Sequence, residues 1–220
     1  EPDSGVTLLV LCLFRYLVHL LLAALIVMLP RGVVSLRSRV PRAQLLRGVS
    51  MLATTLLFFK TLHYLPQAQA TAINFLAPLL VLAAAPWVLR EPSFSSRWIA
   101  ALAGFAGVLV VVRPAAGLDP AGTMYGLVTA VVMATQYVAS RQVAVDDPDT
   151  TLVWSGGVGS VLLLLALPLY WGDLLRVVQG LTPLHWLILL GTGFWGCLGH
   201  YLQIRAYWHA PASLLAPFTY

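Results

Sequence analysis

Residues 58–78 read FFKTLHYLPQAQATAINFLAP, an apolar run interrupted by a lysine, a histidine, a proline and several amides. A second passage, LQIRAYWHAPASLLAP at residues 202–217, repeats the order of a basic residue, an aromatic residue, a proline and small residues. We interpret each passage as the end of one helix, a tight turn and the start of the next. Two copies of this unusual pattern point to an internal repeat.

The composition is that of an integral membrane protein. Hydrophobic residues make up 60% of the 220 residues and charged residues only 10%, whereas soluble domains have about 45–50% and 25%. Because a membrane helix needs about 20 apolar residues, the sequence predicts an all-α polytopic helix bundle of about eight helices. The predicted helices lie at 6–29, 46–64, 66–89, 98–113, 122–141, 151–171 and 184–209, and an eighth begins at Pro211.

The arginines are concentrated in alternate connections between these helices. Eight lie in residues 30–47, 90–97 and 141–150, whereas only two lie in the other connections. By the positive-inside rule the arginine-rich connections face the cytoplasm. We therefore expect a multi-pass protein of the cell (inner) membrane, and the net charge of +5 needs no nucleic-acid partner.

The internal repeat has an inverted topology. An offset of 145 residues places Lys60 on Arg205 and Pro66 on Pro211. Because this offset spans five helices, the second copy is inverted relative to the first, as in secondary transporters with a substrate site near the membrane midplane. We divide the chain into a first repeat at 1–117 and a second at 118–220.

The ends of the chain fall inside this repeat pattern. The sequence begins at Glu1, and Tyr220 lies about ten residues into the predicted eighth helix. Two complete five-helix repeats would add one helix before Glu1, the rest of the last helix, which is the ninth of the whole protein, and a tenth. We therefore expect the whole protein to have about ten helices.

Three stretches carry a resemblance to a known family. Residues 47–92, which end in NFLAPLLVLAAAPWVLREP, resemble the third and fourth helices of the EamA-type drug/metabolite transporter (DMT) superfamily. Residues 199–220, GHYLQIRAYWHAPASLLAPFTY, resemble its eighth and ninth helices, and FRYLVHLLLAAL at residues 14–25 resembles the second. The resemblance implies a bacterial ten-helix carrier whose cargo is a small metabolite, such as an amino acid, a vitamin or another anionic or zwitterionic compound.

Basic residues inside the spans are the first candidates for substrate binding. Arg15 lies about 13 Å into its predicted helix at 1.5 Å per residue, with His19 on the same face one turn further on. Lys60 and Arg205 each lie four residues from a helix end, with no acidic residue in any predicted span. Intramembrane charges are functional hypotheses by default, and a pair of basic groups facing one cavity could bind an anionic group. The alternative is that these long side chains extend to the lipid headgroups.

Polar residues after Pro66 are the second set of candidates. Gln67, Thr71 and Asn74 are spaced i, i+4 and i+7, which places them on one helix face. They either line a cavity or form hydrogen bonds between helices, which contribute about 1 kcal/mol each. Four further residues complete the predicted substrate-binding set: Gln136, Tyr137, Gln203 and Tyr207.

Other function classes find little support in the sequence. The five histidines show no HExxH spacing, and Cys12 and Cys197 are isolated in apolar runs, so we predict no catalytic residues, no metal site and no cofactor. The alternatives are a membrane-embedded enzyme, for which Ser160 and His200 are the deepest candidate pair, and a structural membrane subunit. The expected partners are a small-molecule substrate and the lipid bilayer, and homo-oligomers remain open.

Overall fold

The computed structural model describes residues 4–32, 36–92, 94–112 and 117–220, and within these ranges it is helical and without strands. The predicted all-α fold is therefore confirmed. Glu1 and Arg113, which is one of the two arginines counted in the other connections, lie outside the described residues. The helices are α1 Ser4–Ala23, α2 Leu29–Arg31, α3 Pro41–Tyr64, α4 Gln67–Asn74, α5 Leu76–Ala84, α6 Ser95–Val112, α7 Pro120–Gln142, α8 Pro148–Ala166, α9 Trp171–Gln179, α10 Pro183–His209 and α11 Ala212–Leu215.

Several of these helices join into longer apolar segments. A π-helical turn, Ala24–Met28, connects α1 to α2, and a second one, Ala85–Leu89, extends α5. In the described part of the chain, five segments are long and apolar enough to cross a membrane, with Ser95–Val110 as a shorter apolar helix. The five are Leu8–Arg31, Pro41–Tyr64, Gln67–Leu89, Pro148–Leu169 and Pro183–His209. The chain is therefore a multi-pass membrane protein.

Two helix predictions were wrong. Helix α3 begins at Pro41 instead of residue 46, because proline fits the first turn of a helix, where its missing N–H is not needed. Arg42 and Arg47 consequently lie on α3, within the segment Pro41–Tyr64. Helix α9 occupies the segment that we assigned to a connection, since a short amphipathic helix has no long apolar run to detect.

The chain packs into two compact units. Unit 1 comprises Glu1–Val49 and Val145–Arg205, and unit 2 comprises Ser50–Ala144 and Ala206–Tyr220. Each unit thus contains segments from both predicted repeats. The repeat boundaries themselves stay a prediction.

Unit 1 is built on α1, which packs against α8 and α9. Glycines allow α1 and α8 to approach closely: a methyl group on Gly156 would lie 2.9 Å from the backbone nitrogen of Leu20, and one on Gly159 would overlap the Tyr16 ring. Small residues at helix interfaces favour such packing in membranes. One buried hydrophobic cluster of this unit consists of Ala23, Val27, Leu152, Val153, Cys197 and Ile204.

Unit 2 is built on α7, against which α4 and α5 pack. The main-chain break between α4 and α5 lies at Phe75, whose carbonyl accepts a 3.1 Å hydrogen bond from the Tyr220 hydroxyl. One buried hydrophobic cluster of this unit consists of alanines, two aliphatic residues and two tyrosines: Ala77, Val81, Leu82, Ala101, Ala134, Tyr137, Tyr207, Ala212 and Ala216.

Candidate binding sites in the two units

The predicted polar face of α4 runs from the surface of unit 2 into its interior. Gln67 is exposed, Thr71 is half-buried, and Asn74 is only 9% exposed. The Asn74 Oδ1 atom is buried and has no hydrogen-bond partner. An unsatisfied buried polar atom costs about 1–3 kcal/mol, so this atom marks a place where a ligand could bind.

Helix α7 brings further predicted residues into the interior of unit 2. Gln136 and Tyr137 are both buried. The ring of Tyr137 stacks on that of Tyr207, with centroids 6.1 Å apart and planes tilted by 30°. Helix α4 also packs on α7, so Asn74 and this group of side chains belong to the same unit.

The two predicted anion-binding residues near helix ends are both exposed. In unit 2, the Lys60 ammonium lies 5.6 Å from the ring centroid of Tyr64, one turn further along α3. In unit 1, the Arg205 guanidinium lies 6.0 Å from the ring centroid of Tyr201 on α10. Cation–π contacts of exposed groups contribute about 0.5–1 kcal/mol. The role of either residue in substrate binding stays a prediction.

A buried carboxylate connects three segments of unit 2. Glu91 accepts hydrogen bonds from the Ala212 nitrogen at 3.1 Å, the Ser213 nitrogen at 3.0 Å, the Ser213 hydroxyl at 2.7 Å and Arg141 Nε at 3.0 Å. Burial by itself would raise the pKa of Glu91, but these hydrogen bonds outweigh it and hold the pKa below its ordinary value. Arg141 also donates to the Tyr207 carbonyl at 3.0 Å. These hydrogen bonds connect the segment before α6 to α7 and hold the first residues of α11 in place.

Asp146 is the corresponding buried carboxylate of unit 1. It accepts hydrogen bonds from the Ser38 hydroxyl, from the Arg39 nitrogen at 2.8 Å and from Gln44 Nε2 at 2.9 Å. Burial would raise the pKa of Asp146, but the hydrogen bonds and the charge of Arg39 keep it below its ordinary value. Gln44 also donates to the Thr151 hydroxyl at 2.9 Å, which connects α3 to α8.

Basic side chains from three helices meet in the interior of unit 1. His19 on α1 stacks on His200 on α10, with ring centroids 5.8 Å apart. Arg47 on α3 donates to the Ser155 hydroxyl on α8. The Arg15 side chain lies against Gly196, one turn before His200. We call Arg15, His19, Arg47 and His200 the basic cluster.

The structure therefore divides the predicted site residues between the two units. In unit 1, Arg15 and His19 lie close together. Gln203 lies beside them because it forms a hydrogen bond with His200, which stacks on His19. Arg47, Ser155 and His200 were not predicted as site residues; recognising Pro41 as the first residue of its helix would have placed Arg47 inside a span. The residues of the set that lie in unit 2 are Lys60, Gln67, Thr71, Asn74, Gln136, Tyr137 and Tyr207.

The remaining features of unit 1 offer few polar groups for binding or catalysis. A cavity of about 180 Å³ is lined by apolar side chains of α1, α8 and α10, with Asp149 at its edge. Asp149 forms an ion pair with Arg31 at 2.9 Å. The Ser160 hydroxyl has no hydrogen-bond partner, so the serine and histidine considered for a hydrolase do not form a catalytic hydrogen bond. No group of three or more His, Cys, Asp or Glu side chains suited to a metal occurs among the described residues.

Comparisons with known proteins place the chain among membrane transporters. It is 27% identical to an uncharacterized transporter of Helicobacter pylori, over 79% of the chain and 57% of the relative. It is 26% identical to an S-adenosylmethionine uptake transporter of Rickettsia bellii (84% and 62%) and 28% identical to the pseudopaline exporter CntI of Pseudomonas aeruginosa (94% and 71%). The chain thus spans about three fifths of the first two relatives.

A solved crystal structure supports the same fold. It covers 96% of this chain and 73% of its own, with a TM-score of 0.74 and 21% sequence identity. The model of the EamA-like transporter family matches residues 4–113, which is half of the chain. The resemblance inferred from the sequence is therefore confirmed: the chain belongs to the EamA-like transporter family.

Proposed function

We propose that the whole protein is a secondary transporter that moves a small metabolite across the cell membrane by alternating access. Membership in the EamA-like transporter family supports this proposal, as do relatives whose names describe uptake and export. The two predicted inverted repeats supply the symmetry on which alternating access depends. No catalytic role is assigned to the protein.

We place part of the substrate site in unit 2. The observation that carries this assignment is the Asn74 Oδ1 atom, which is buried and has no hydrogen-bond partner. A polar substrate that donates a hydrogen bond to this oxygen would remove the cost of its burial. Gln136, Tyr137 and Tyr207 lie in the same unit and add an amide and two aromatic rings.

These groups favour a polar organic metabolite. Asparagine and glutamine side chains both donate and accept hydrogen bonds, and tyrosine rings provide apolar area for flat or aromatic parts of a ligand. An amino acid, a vitamin or another zwitterionic compound has both kinds of group. Gln67, Thr71 and the exposed Lys60 lie nearer the surface of unit 2, where they are candidates for contact with substrate on its way to the site.

The test is transport by the purified whole protein in proteoliposomes. The vesicles are incubated with a metabolite mixture, with and without a proton gradient, and the retained compounds are identified by mass spectrometry against protein-free vesicles. Selective retention is expected. If no compound is retained above the protein-free level under any condition, the carrier proposal fails.

The site is tested separately with Asn74→Ala. Loss of one substrate hydrogen bond worth about 1.4 kcal/mol lowers affinity about tenfold. Gln69→Ala is the matched control, because Gln69 lies on the same helix but off the face of Asn74. If transport persists and the affinity of Asn74→Ala equals that of the control, the site assignment is wrong although the protein is still a carrier.

A further inference from the structure

The membrane segment Gln67–Leu89 of unit 2 is not one continuous helix, because it is interrupted at Phe75 between α4 and α5. Phe75 lies about 12 Å from Gln67 at 1.5 Å per residue, and the hydrocarbon core of a membrane is about 30 Å thick. The break therefore lies close to the middle of the segment. In transporters, the ends of such discontinuous helices bind substrates and coupling ions.

Pro78 explains the break. In a continuous helix the N–H of residue 78 would donate to the carbonyl of Asn74, but proline has no N–H. Helix α4 ends at Asn74, so its last carbonyls lack the donors that the next turn of a continuous helix would supply. These carbonyls give the end of the helix a partial negative charge. The end of α4 therefore presents oxygen acceptors within a membrane segment.

Asn74 adds a side-chain oxygen at the same place. Its Oδ1 atom is buried and has no hydrogen-bond partner, and the residue is only 9% exposed. Buried polar atoms in native proteins nearly always have a partner, and exceptions call for an unobserved water, ion or ligand. Because an amide oxygen only accepts hydrogen bonds, the group that satisfies it must donate a hydrogen bond or carry a positive charge.

Phe75 and Tyr220 meet at the break. The Phe75 carbonyl accepts a 3.1 Å hydrogen bond from the Tyr220 hydroxyl, and the two ring centroids lie 5.5 Å apart. A phenolic hydroxyl that donates its hydrogen can still accept with its oxygen, and the faces of aromatic rings attract cations. The contact thus adds one further oxygen and two rings beside Asn74.

The predicted repeat relates the same two residues. An offset of 145 residues places Phe75 on Tyr220. Equivalent residues that touch each other lie close to the axis that relates the two copies, and transporters with inverted repeats have their sites near the midplane at the repeat interface. The predicted repeat and the break in the helix therefore indicate the same place.

The carboxylates of unit 2 are engaged elsewhere. Glu91 pairs with Arg141, and Asp119 accepts a 2.7 Å hydrogen bond from the Gly122 nitrogen at the start of α7. The acceptors at the break are therefore uncharged oxygens. Divalent ions are usually bound by carboxylates, whereas a shell of neutral oxygens can replace the water around a monovalent cation.

We propose that the break between α4 and α5 binds a small monovalent cationic group, either an alkali-metal ion or a primary ammonium group of the substrate. The side-chain and main-chain oxygens of Asn74 and the Tyr220 hydroxyl oxygen accept its hydrogen bonds or coordinate it. The partial negative charge at the end of α4 offsets part of its charge. For the ammonium group the inference rests on the proposed function, but its test measures binding and requires no transport.

A purely structural role for these residues makes a different prediction. If Asn74 and Tyr220 only hold the helices together, removing either side-chain oxygen lowers the melting temperature by the same amount in every salt. If they bind a cation, the removal also abolishes the part of the stability that depends on the cation.

The test measures the melting temperature of the whole protein in detergent by its tryptophan fluorescence. Sodium chloride, potassium chloride or methylammonium chloride replaces tetraethylammonium chloride stepwise at constant ionic strength. Tetraethylammonium is the reference because it has no N–H and is too bulky to approach several oxygens at a helix break. A ligand at ten times its Kd raises the melting temperature by about 3–6 °C, and the shift should saturate.

The salts also identify the source of the positive charge. A shift with an alkali-metal ion alone assigns an ion site, a shift with methylammonium alone assigns an ammonium subsite, and shifts with both assign a site that accepts either. Each of these results supports the proposal. Equal melting temperatures in all the salts overturn it. They do so even if proteoliposomes retain a metabolite, so this failure is distinct from a failure of the carrier proposal.

Variants then locate the site. Asn74→Ala and Tyr220→Phe each remove one oxygen and are expected to weaken the apparent affinity for the cation about tenfold. Asn74→Asp places a negative charge at the same position and should strengthen it. Pro78→Ala restores an N–H that can donate to the Asn74 carbonyl, so it should also weaken the affinity.

The matched control is Gln69→Ala, because Gln69 lies on α4 but off the face of Asn74, and its cation response should equal that of the wild type. If Asn74→Ala does not fold, Tyr220→Phe and Pro78→Ala decide. An unchanged cation response in both of these variants overturns the assignment.

Discussion

The two units of the chain have similar apolar helices but different polar interiors. In unit 2 the buried charges are paired, since Glu91 binds Arg141 and the start of α11. In unit 1 the described carboxylates are engaged near helix ends, and basic side chains of α1, α3 and α10 lie close together in the interior. The described polar interior of unit 1 is therefore mainly basic, whereas that of unit 2 combines a paired carboxylate with amides and tyrosines.

The units also differ in how their helices approach one another. Gly156 and Gly159 bring α8 against the backbone and ring atoms of α1. In unit 2, a methyl group on Gly126 would lie 3.1 Å from the Ile73 side chain, and one on Gly122 would lie 2.7 Å from side-chain atoms of Tyr64 and Leu65. Both units thus contain close approaches, to backbone atoms in unit 1 and to side chains in unit 2, and the comparison can be tested by adding single methyl groups and removing single charges.

The largest effect is expected from Gly156→Ala. The new methyl group would lie 2.9 Å from the Leu20 nitrogen and 3.0 Å from its Cα, and backbone atoms cannot move aside as a side chain can. We expect a loss of about 2–3 kcal/mol, measured as a lower melting temperature of the whole protein in detergent. Gly157→Ala is the matched control, because the nearest atom lies 4.0 Å away. Equal melting of the two variants would contradict the close approach of α1 and α8.

The second effect concerns the carboxylate of unit 2. Glu91→Gln removes the charge that Arg141 pairs with and weakens the bonds to Ala212 and Ser213, so we expect a loss of about 1–3 kcal/mol. The readout is the melting temperature of the whole protein by size-exclusion chromatography after heating. Asp147→Asn serves as the control, since its ion pair with Arg31 is exposed and contributes about 0–1 kcal/mol. If Asp147→Asn lowers the melting temperature as much as Glu91→Gln does, the buried and the exposed ion pair contribute equally to stability and the expectation is wrong.

The third effect is the response to acid. The pKa values of Glu91 and Asp146 lie below their ordinary values of 4.5 and 3.8, so the unfolded chain binds protons before the folded one does. The stabilisation is complete above the ordinary values and is lost as the pH falls through the lowered ones. Melting temperatures between pH 7 and pH 3 should therefore fall less steeply in Glu91→Gln than in wild type. If the melting temperature falls equally steeply with pH in both proteins, Glu91 does not contribute to the acid sensitivity of the fold.

The smallest effect on stability is expected from an exposed basic residue. Lys60→Gln removes a weak contact to the Tyr64 ring, so the free energy of unfolding should change by no more than about 0.5 kcal/mol. The melting temperature measures this, and substrate affinity measured on the same preparation tests the predicted anion contact separately. A loss of several degrees would mean that the exposed Lys60 side chain is part of the packed structure.

Much of the fold could be predicted because membrane helices are long apolar runs. The turn at Leu65 and Pro66 separates α3 from α4 as expected, since proline cannot continue the preceding helix. The start at Pro41 and the short α9 were missed because their residues are polar or amphipathic. Hydropathy identifies the part of a helix in lipid better than its ends.

The candidate sites were less predictable because they depend on which helices touch. Asn74 was predicted from its spacing to Gln67 on one helix, a local pattern. The basic cluster joins residues from 15 to 200 in the sequence and depends on contacts such as that of Gly156 with α1. Arg47 carries no local signal of its burial, because an arginine near a helix end most often reaches water.

The long separation of Glu91 from its partners sets an order of events during synthesis. Arg141 follows Glu91 by 50 residues and Ala212 by 121. At about 5–20 residues per second, the arginine emerges roughly 3–10 s after the carboxylate, and the start of α11 only after about 6–24 s. A ribosome that stalls between these points would therefore leave a nascent chain in which Glu91 can pair with Arg141 although the start of α11 has not yet been synthesised.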